Sequence, residues 1–137
     1  MNKIWLHIVF FLSFGYSQCQ EINSTQTEPV YATLEQIAKK WFVIDYKTTA
    51  EQTPELKKKI KRILKSRYLF SKNGLFSDGT AIEEEYGTWK FSNENKSIIT
   101  IQNDLKITWD ILKITESELV LRREAYNTTI YFSSNRD

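Results

Sequence analysis

The strongest constraint on the fold is a stretch of alternating residues from Tyr86 to Leu121. Apolar side chains recur at every second position in four runs, which are Trp89/Phe91, Ile99/Ile101, Ile107/Trp109/Ile111 and Leu119/Leu121. Successive side chains of an extended chain point to opposite sides, so each run predicts a strand with one apolar face. The polar segments between the runs are typical of turns: 92–95, 103–104 and 115–118. Connections this short join antiparallel neighbours, so the stretch predicts a β-meander.

Four further segments have the composition of strands. In chain order they are 40–47, 67–71, 75–85 and 128–134. In the first, Trp41, Val43 and Asp45 share one face and Phe42, Ile44 and Tyr46 share the other, so we expect both faces to be covered. The third is expected to bend or bulge at Asp78-Gly79, because glycine lets a strand change direction. Ahead of the first strand, Thr33 and Gln36 have the spacing of a capping box, which predicts a short helical turn.

A longer helix is predicted between the first and second strands. Thr53 can cap it, Pro54 suits its first position, and Glu55 favours the positive end of the helix dipole. Apolar residues then recur on one side and basic residues cover the rest: Leu56, Ile60, Ile63 and Leu64 against Lys57, Lys58, Lys59, Lys61, Arg62 and Lys65. The pattern indicates an amphipathic helix over about 54–65. It is either a docked helix with a solvated lysine face, which we favour, or a basic lid that meets anionic lipid or an acidic partner.

The number and order of the strands determine the predicted architecture. Eight sequential antiparallel strands can form a sandwich or a closed up-and-down barrel. Closure is favoured, because short turns pair neighbouring strands in order and a barrel leaves no exposed edge. We therefore predict an all-β fold, an eight-stranded antiparallel up-and-down barrel with one amphipathic helix inserted between strands 1 and 2. At this strand number the interior is either filled by side chains or holds one small ligand.

The N-terminal segment has the character of an export signal. Lys3 provides a basic start, an apolar run follows, and small residues allow cleavage after Ser17. The predicted parts of the chain are a signal peptide over 1–17, a flexible spacer over 18–32 and the barrel domain over 33–137. We therefore expect an exported protein, periplasmic or extracellular.

Cys19 has two interpretations. A cysteine directly after an apolar leader can be the lipid-modified first residue of a bacterial lipoprotein, which would be the protein's one link to a membrane and would place it at the outer membrane. Gln18 stands where such signals have a small residue, which favours simple secretion. As the only cysteine, Cys19 forms no internal disulfide and no thiol site.

Charge and residue inventory exclude several classes of function. The formal net charge is +2, and loss of Lys3 with the leader leaves 18 basic against 17 acidic side chains, or +1. Such a chain lacks the clustered basic charge of a nucleic-acid binder. The only histidine, His7, lies in the leader, and no nucleophilic serine motif or glycine-rich phosphate loop is present. We therefore predict that the protein is not an enzyme and uses no cofactor or metal.

Several motifs resemble, in their order and spacing, those of one protein family. They are the opening strand with Trp41, the Phe70 strand ending in a turn, Asp78-Gly79-Thr80, Gly87-Thr88-Trp89 and residues 114–121. Together, over about Leu34 to Phe132, they resemble the lipocalin-like domain of exported proteins in the Bacteroidetes. One departure is Lys39, since family members commonly carry glycine two residues before the first tryptophan. The resemblance implies a lipocalin-type barrel, an exported or lipoprotein location, and often no assigned molecular function.

Two functions are open from the sequence. In the first, the barrel binds a small hydrophobic ligand, and the helix is a lid at one mouth. Its interior lining would include Tyr68, Phe70, Trp109 and Phe132. In the second, the same rings are simply the core, and the filled barrel is an interaction or structural module that docks another protein of the cell envelope. Glu83 and Glu85 share a strand face, but a solvated strand end is the favoured interpretation of this pair.

Overall fold

The chain folds into one closed barrel of antiparallel strands. The structure, a computed structural model, describes residues 28–136, so the predicted signal peptide, Cys19 and most of the predicted spacer lie outside the described residues. The strands are β1 (Lys40–Lys47), β2 (Arg67–Phe70), β3 (Leu75–Gly79), β4 (Glu84–Ser92), β5 (Ser97–Gln102), β6 (Leu105–Ile114), β7 (Glu118–Arg123) and β8 (Thr128–Ser133). Each strand pairs with the next, and β8 closes on β1. The predicted up-and-down barrel is confirmed, and the sandwich alternative is wrong.

Two α-helices accompany the barrel within residues 28–136, both where the sequence predicts them, and a short 3-10 helix (Ala125–Asn127) precedes β8. The short helix α1 (Leu34–Ile37) has a reciprocal capping box, in which the Gln36 N–H donates to Thr33 Oγ1 and the Thr33 N–H donates to Gln36 Oε1. The longer helix α2 (Pro54–Ile63) lies between β1 and β2 and is capped by the Thr53 hydroxyl, which accepts the Leu56 N–H at 3.2 Å. Among the described residues, neither helix has the length and apolar character to span a membrane.

Helix α2 ends two residues before the predicted Lys65. Leu64 is its C-cap residue, and the Lys65 N–H donates to the Arg62 carbonyl at 3.1 Å. The Ser66 N–H likewise donates to the Ile63 carbonyl at 2.9 Å. These bonds span three residues instead of four, so the helix tightens at its end and delivers the chain into β2.

The two ends of the barrel differ. The β1–β2, β3–β4, β5–β6 and β7–β8 connections lie at one end, which we call the mouth, and α2 belongs to the first of them. The other end, which we call the closed end, holds the turns at 71–74, 93–96 and 115–117. This arrangement follows from the up-and-down topology, because alternate connections return to the same end.

The N-terminal part of the described chain plugs the closed end. The Ala32 N–H donates to the Asn95 carbonyl at 3.1 Å, and Ala32 and Ile37 are buried in the core. The indole N–H of Trp41 donates to the Ile37 carbonyl at 3.0 Å, which joins α1 to β1. Val30 also packs against the core. The packed chain therefore starts before Thr33, within the last residues of the segment predicted as a spacer.

The first strand contains an irregularity that its alternation does not reveal. Its pairing with β8 shifts register between Val43 and Asp45, so the inward face changes parity at this bulge. Tyr46 consequently packs against the core, whereas Asp45 is exposed. The expectation that both faces of this strand are covered is wrong at Ile44, which is 60% exposed, because a groove separates this part of the outer face from Leu64.

The predicted third strand is divided between two strands. β3 ends at Gly79, and β4 begins at Glu84 after the loop 80–83. Gly79 has a φ of +146°, and the Thr80 N–H donates to the Glu83 carbonyl at 2.9 Å, which closes the turn. The predicted break at Asp78-Gly79 is therefore a full reversal of the chain. The strand count stays at eight because residues 84–85 extend the next strand.

Candidate functional site

The barrel brings together the four aromatic residues that the sequence predicts as ligand-lining. Tyr68, Phe70, Trp109 and Phe132 are all buried and belong to one core cluster. The Tyr68 ring lies 4.9 Å from Phe132 and 6.5 Å from Trp109, centroid to centroid, in edge-on arrangements. Phe70 lies deeper, 5.1 Å from Phe76. These contacts make the four rings part of a continuous aromatic core.

Side chains occupy the interior at the level of these rings. The largest fully buried ones are Trp41, Phe70, Phe132, Ile37, Ile98, Leu119, Leu121 and Ile130. The indole N–H of Trp109 donates to the Thr100 hydroxyl at 3.1 Å, so its polar atom is satisfied inside the barrel. Of the four predicted residues, Tyr68 reaches the mouth, and the other three lie beneath or beside it. Ligand contact by all four stays a prediction.

A cleft of about 240 Å³ opens at the mouth between α2 and the ends of β2 and β3. Its lining is mixed apolar and charged: Lys59, Arg62, Ile63, Ser66, Tyr68, Asp78, Gly79, Thr80, Glu83 and Glu85. The cleft is smaller than the usual range for a pocket that encloses a whole drug-sized ligand, about 300–1,000 Å³. It can hold a small molecule or one end of a longer one.

The Tyr68 side chain forms the floor of this cleft. It is 7% exposed, and its hydroxyl, which forms no hydrogen bond among residues 28–136, is open to the cleft and not fully buried. Burial raises the pKa of the Tyr68 hydroxyl, and the nearby Asp78 carboxylate raises it further. The phenol therefore stays protonated at physiological pH and can both donate and accept a hydrogen bond.

Asp78 provides the second polar group of the cleft. It is the cross-strand partner of both Tyr68 and Glu85, so the three side chains share the inward face. Burial raises the pKa of the Asp78 carboxyl, and the hydrogen bond from Gln102 opposes this shift. The Gln102 amide donates to Asp78 Oδ1 at 2.9 Å and to the Glu85 carbonyl at 3.1 Å, so both of its N–H groups are used.

Gly87 makes room for the Gln102 side chain. A Cβ atom at this position would overlap the Ile101 carbonyl oxygen and the Cγ of Gln102. The absence of a side chain on this inward position lets Gln102 lie across β4 and reach Asp78. The glycine of the Gly87-Thr88-Trp89 motif thus has a packing role beside the cleft.

Helix α2 borders the cleft without being buried. Ile63 packs against the core, and none of the helix residues is fully buried. Arg62 Nη2 lies 2.6 Å from Glu83 Oε2, which links the helix to the 80–83 loop across the cleft. Both side chains are more than half exposed, so this ion pair contributes little stability. Helix α2 therefore lies at the edge of the mouth, where the packing of Ile63 and an exposed ion pair connect it to the barrel.

A larger groove, of about 420 Å³, lies outside the barrel between β1 and the end of α2. Its apolar side chains include Phe42 and Leu64. Ser66 is its only buried polar residue, and the Ser66 hydroxyl donates to the Ile63 carbonyl at 2.6 Å. We prefer the mouth cleft as the candidate site because the hydroxyl of the nearly buried Tyr68 is open to it and forms no hydrogen bond among residues 28–136, whereas the hydroxyl of the groove's buried polar residue is already bonded.

Sequence reasoning identifies Tyr68 but not its polar neighbours. Asp78 and Gln102 sit on different strands, and only the pairing of β3, β4 and β5 brings them together. Glu85 is exposed, as the sequence predicts, yet it faces the mouth and not the outer wall. Glu83 instead lies in the loop and binds Arg62. Within the described chain, no group of three acidic, histidine or cysteine side chains is placed to hold a metal ion.

An eight-stranded up-and-down barrel with one plugged end and one open mouth is a lipocalin-like fold. Two solved structures share it. One, a DUF4847 family protein from Bacteroides vulgatus, is 15% identical with a TM-score of 0.52, covering 74% of this chain and 96% of that one. The other, a lipocalin-like protein from Bacteroides uniformis, is 18% identical with a TM-score of 0.54, covering 73% of this chain and 99% of that one. No family model and no curated protein matches the chain. The structural likeness confirms the fold that the sequence motifs imply.

Proposed function

We propose that the barrel binds a small amphipathic ligand at its mouth. The apolar part of the ligand would lie against Tyr68 and Ile63, and its polar end would meet Tyr68 and Asp78. The observation that carries this proposal is the Tyr68 hydroxyl, which belongs to a buried side chain, has no partner among the described residues and opens onto the cleft. No fully buried side-chain polar atom among residues 28–136 lacks a partner, so this hydroxyl is open to water through the cleft. A ligand that covers the ring and replaces the water with a direct hydrogen bond gains affinity.

The charges in the cleft favour a neutral polar end on the ligand. Arg62 is already paired with Glu83, so the other charged residues of the lining are Asp78, Glu85 and Lys59. A ligand carboxylate would meet two protein carboxylates at close range, which is unfavourable in a partly buried site. A hydroxyl or amide can donate to Asp78 and accept from Tyr68. We therefore propose an alcohol or amide with an apolar chain as the ligand class.

The proposal also includes export of the protein from the cytoplasm. The leader over 1–17 supports export, and the absence of histidine after it supports a binding protein over an enzyme. Lipidation at Cys19 remains the alternative to simple secretion. Metabolic labelling with a fatty acid, compared between the wild-type chain and Cys19→Ala, distinguishes the two: label in the wild type alone means a lipoprotein.

The ligand proposal is tested with two probes of equal chain length, decanol and decanoate. We expect decanol to bind more tightly than decanoate in isothermal titration, with a change in the fluorescence of the buried tryptophans. Tyr68→Phe keeps the ring and removes the hydroxyl, so decanol affinity should fall by about two- to tenfold, the value of one hydrogen bond.

The matched control for this variant is Tyr86→Phe. Tyr86 is 72% exposed and donates to Glu84 on the outer wall, so its hydroxyl should not affect decanol binding. Because the Tyr68 hydroxyl forms no hydrogen bond within residues 28–136, Tyr68→Phe should also fold as stably as the wild type. Equal affinity of the wild type and Tyr68→Phe for decanol, or no binding of either probe, would contradict the proposal.

The packed interior supports a second candidate, a filled barrel that acts as an interaction or structural module of the envelope. The fully buried Trp41, Phe70 and Phe132 leave the core occupied by protein side chains. Native mass spectrometry after mild purification separates the candidates. A co-purifying small molecule supports the ligand binder, and a clean protein mass together with indifference to decanol supports the module.

A further inference from the structure

Exposed apolar side chains stand at three of the four connections around the mouth. Ile82 in the β3–β4 loop is 92% exposed, Leu105 at the start of β6 is 61% exposed, and Tyr126 in the β7–β8 connection is 68% exposed. The closed end also has exposed apolar side chains, since Leu75 at the start of β3 is 56% exposed and Tyr31 is 55% exposed. Apolar exposure alone therefore does not distinguish the two ends, and the difference lies in the charge that accompanies it at the mouth.

The fourth connection at the mouth holds the basic helix α2. From Pro54 to Ile63 it has five basic side chains and one acidic side chain, in a chain whose formal net charge is only +2. Within residues 28–136, Lys57, Lys58 and Lys61 are exposed and form no ion pair. The mouth therefore combines apolar tips with a local excess of positive charge.

The backbone fixes the position of Tyr126. Its φ is +53°, in the left-handed region that bulky residues rarely adopt. The Tyr126 carbonyl accepts hydrogen bonds from the Thr49 N–H at 2.9 Å and from the Thr49 hydroxyl at 2.6 Å. These bonds join the β7–β8 connection to the segment that leads into α2. An exposed aromatic ring is thus held on a strained, cross-linked backbone beside the basic helix, a combination that is more common at binding sites than elsewhere.

We propose that the mouth rim, defined as α2 together with Ile82, Leu105 and Tyr126, docks onto an anionic lipid bilayer. Aliphatic and aromatic tips enter the boundary between headgroups and acyl chains, and aromatic residues are favoured at that depth. The unpaired lysines of α2 meet anionic headgroups, which attract basic side chains close to the surface. The charge of the helix is complementary to such a surface, and this docking does not depend on the ligand proposed for the cleft.

The test measures binding of the full barrel to vesicles of phosphatidylglycerol mixed with phosphatidylcholine, and to vesicles of phosphatidylcholine alone. We expect binding to the anionic vesicles that weakens as salt is added. The triple variant Lys57→Gln, Lys58→Gln and Lys61→Gln should bind about 100-fold more weakly, since each lysine near an anionic surface is worth about fivefold in affinity.

The apolar contribution is tested with a matched pair of leucines. Leu105 at the mouth and Leu75 at the closed end are 61% and 56% exposed, so replacing either with aspartate disturbs folding to a similar small extent. Leu105→Asp should lower vesicle affinity by at least about fivefold, whereas Leu75→Asp should leave it unchanged. Lys90→Gln, on the outer wall of β4, is the control for charge.

Three results would overturn the proposal. They are the absence of binding to the anionic vesicles, equal binding by the wild type and the triple lysine variant, and an equal effect of Leu75→Asp and Leu105→Asp. Salt-sensitive binding to polyglutamate without binding to vesicles would also overturn it and would assign the rim to an acidic protein.

Discussion

Trp109 is the most informative position for testing the packing of the barrel interior. The side chain is 4% exposed, and its indole N–H donates to the buried Thr100 hydroxyl at 3.1 Å. Trp109→Ala removes the ring and leaves a cavity, which should lower the free energy of unfolding by about 3–5 kcal/mol. Trp109→Phe keeps an aromatic ring in the core but loses the hydrogen bond, for which the expected cost is about 0.5–1.5 kcal/mol plus the effect of reduced volume.

A double-mutant cycle separates the hydrogen bond from the packing. Thr100→Val removes the acceptor with little change in shape, so the cycle between Trp109→Phe and Thr100→Val isolates the interaction between the two side chains. We expect an interaction energy of about 0.5–1.5 kcal/mol. Urea unfolding followed by circular dichroism provides each free energy, and an unchanged slope against urea shows that the native state stays compact.

The control cycle pairs Thr100→Val with Trp41→Phe. The Trp41 indole donates to the Ile37 carbonyl at the closed end, so these two changes should add without interaction. A loss of less than about 1 kcal/mol in Trp109→Ala would mean that the side chain does not fill the interior. A zero interaction energy with Thr100 would refute the hydrogen bond but not the packing.

Two further predictions concern the polar side of the cleft. Gly87→Ala should lower the free energy of unfolding by about 1–3 kcal/mol, because its Cβ would overlap the Ile101 carbonyl and displace Gln102, and urea unfolding measures this loss. Asp78→Asn should be more stable than the wild type at neutral pH. Burial raises the pKa of the Asp78 carboxyl above its unfolded value, so wild-type stability falls as pH rises through the folded pKa, whereas the asparagine variant lacks this loss. The difference should disappear below the ordinary aspartate pKa, and thermal unfolding across pH would show the reverse trend if the carboxyl were favoured in its charged form.

The parts of the fold with regular alternation could be predicted from the sequence. In β6 the period of two holds as far as Ile111, where the pairing with β7 shifts register, and the inward position of Trp109 follows from it directly. In β5 the predicted Ile99/Ile101 run is not the inward one, because Ile98 and Thr100 are the cross-strand partners of Trp109 and Ile107. The helix α2 is likewise predicted with its cap at Thr53 and its first residue at Pro54. In both cases the signal is local, since strand alternation and helix capping depend on residues close in sequence.

The irregularities of the barrel could not be predicted in the same way. The bulge of β1 after Val43 depends on how β8 pairs with it, and the alternation alone would have placed Asp45 inside instead of Tyr46. The polar cleft has the same origin. Asp78 meets Gln102 only after two intervening strand pairings are set, and no short motif encodes that distance.

The described chain enters the barrel at one end only, so the two ends of the barrel are not equivalent. From Glu28 onward the chain enters at the end closed by α1, where the Ala32 N–H donates to the Asn95 carbonyl. The cleft lies at the other end of the barrel, beside α2. A group attached to the chain before Glu28 is therefore connected to the barrel at the end opposite the cleft.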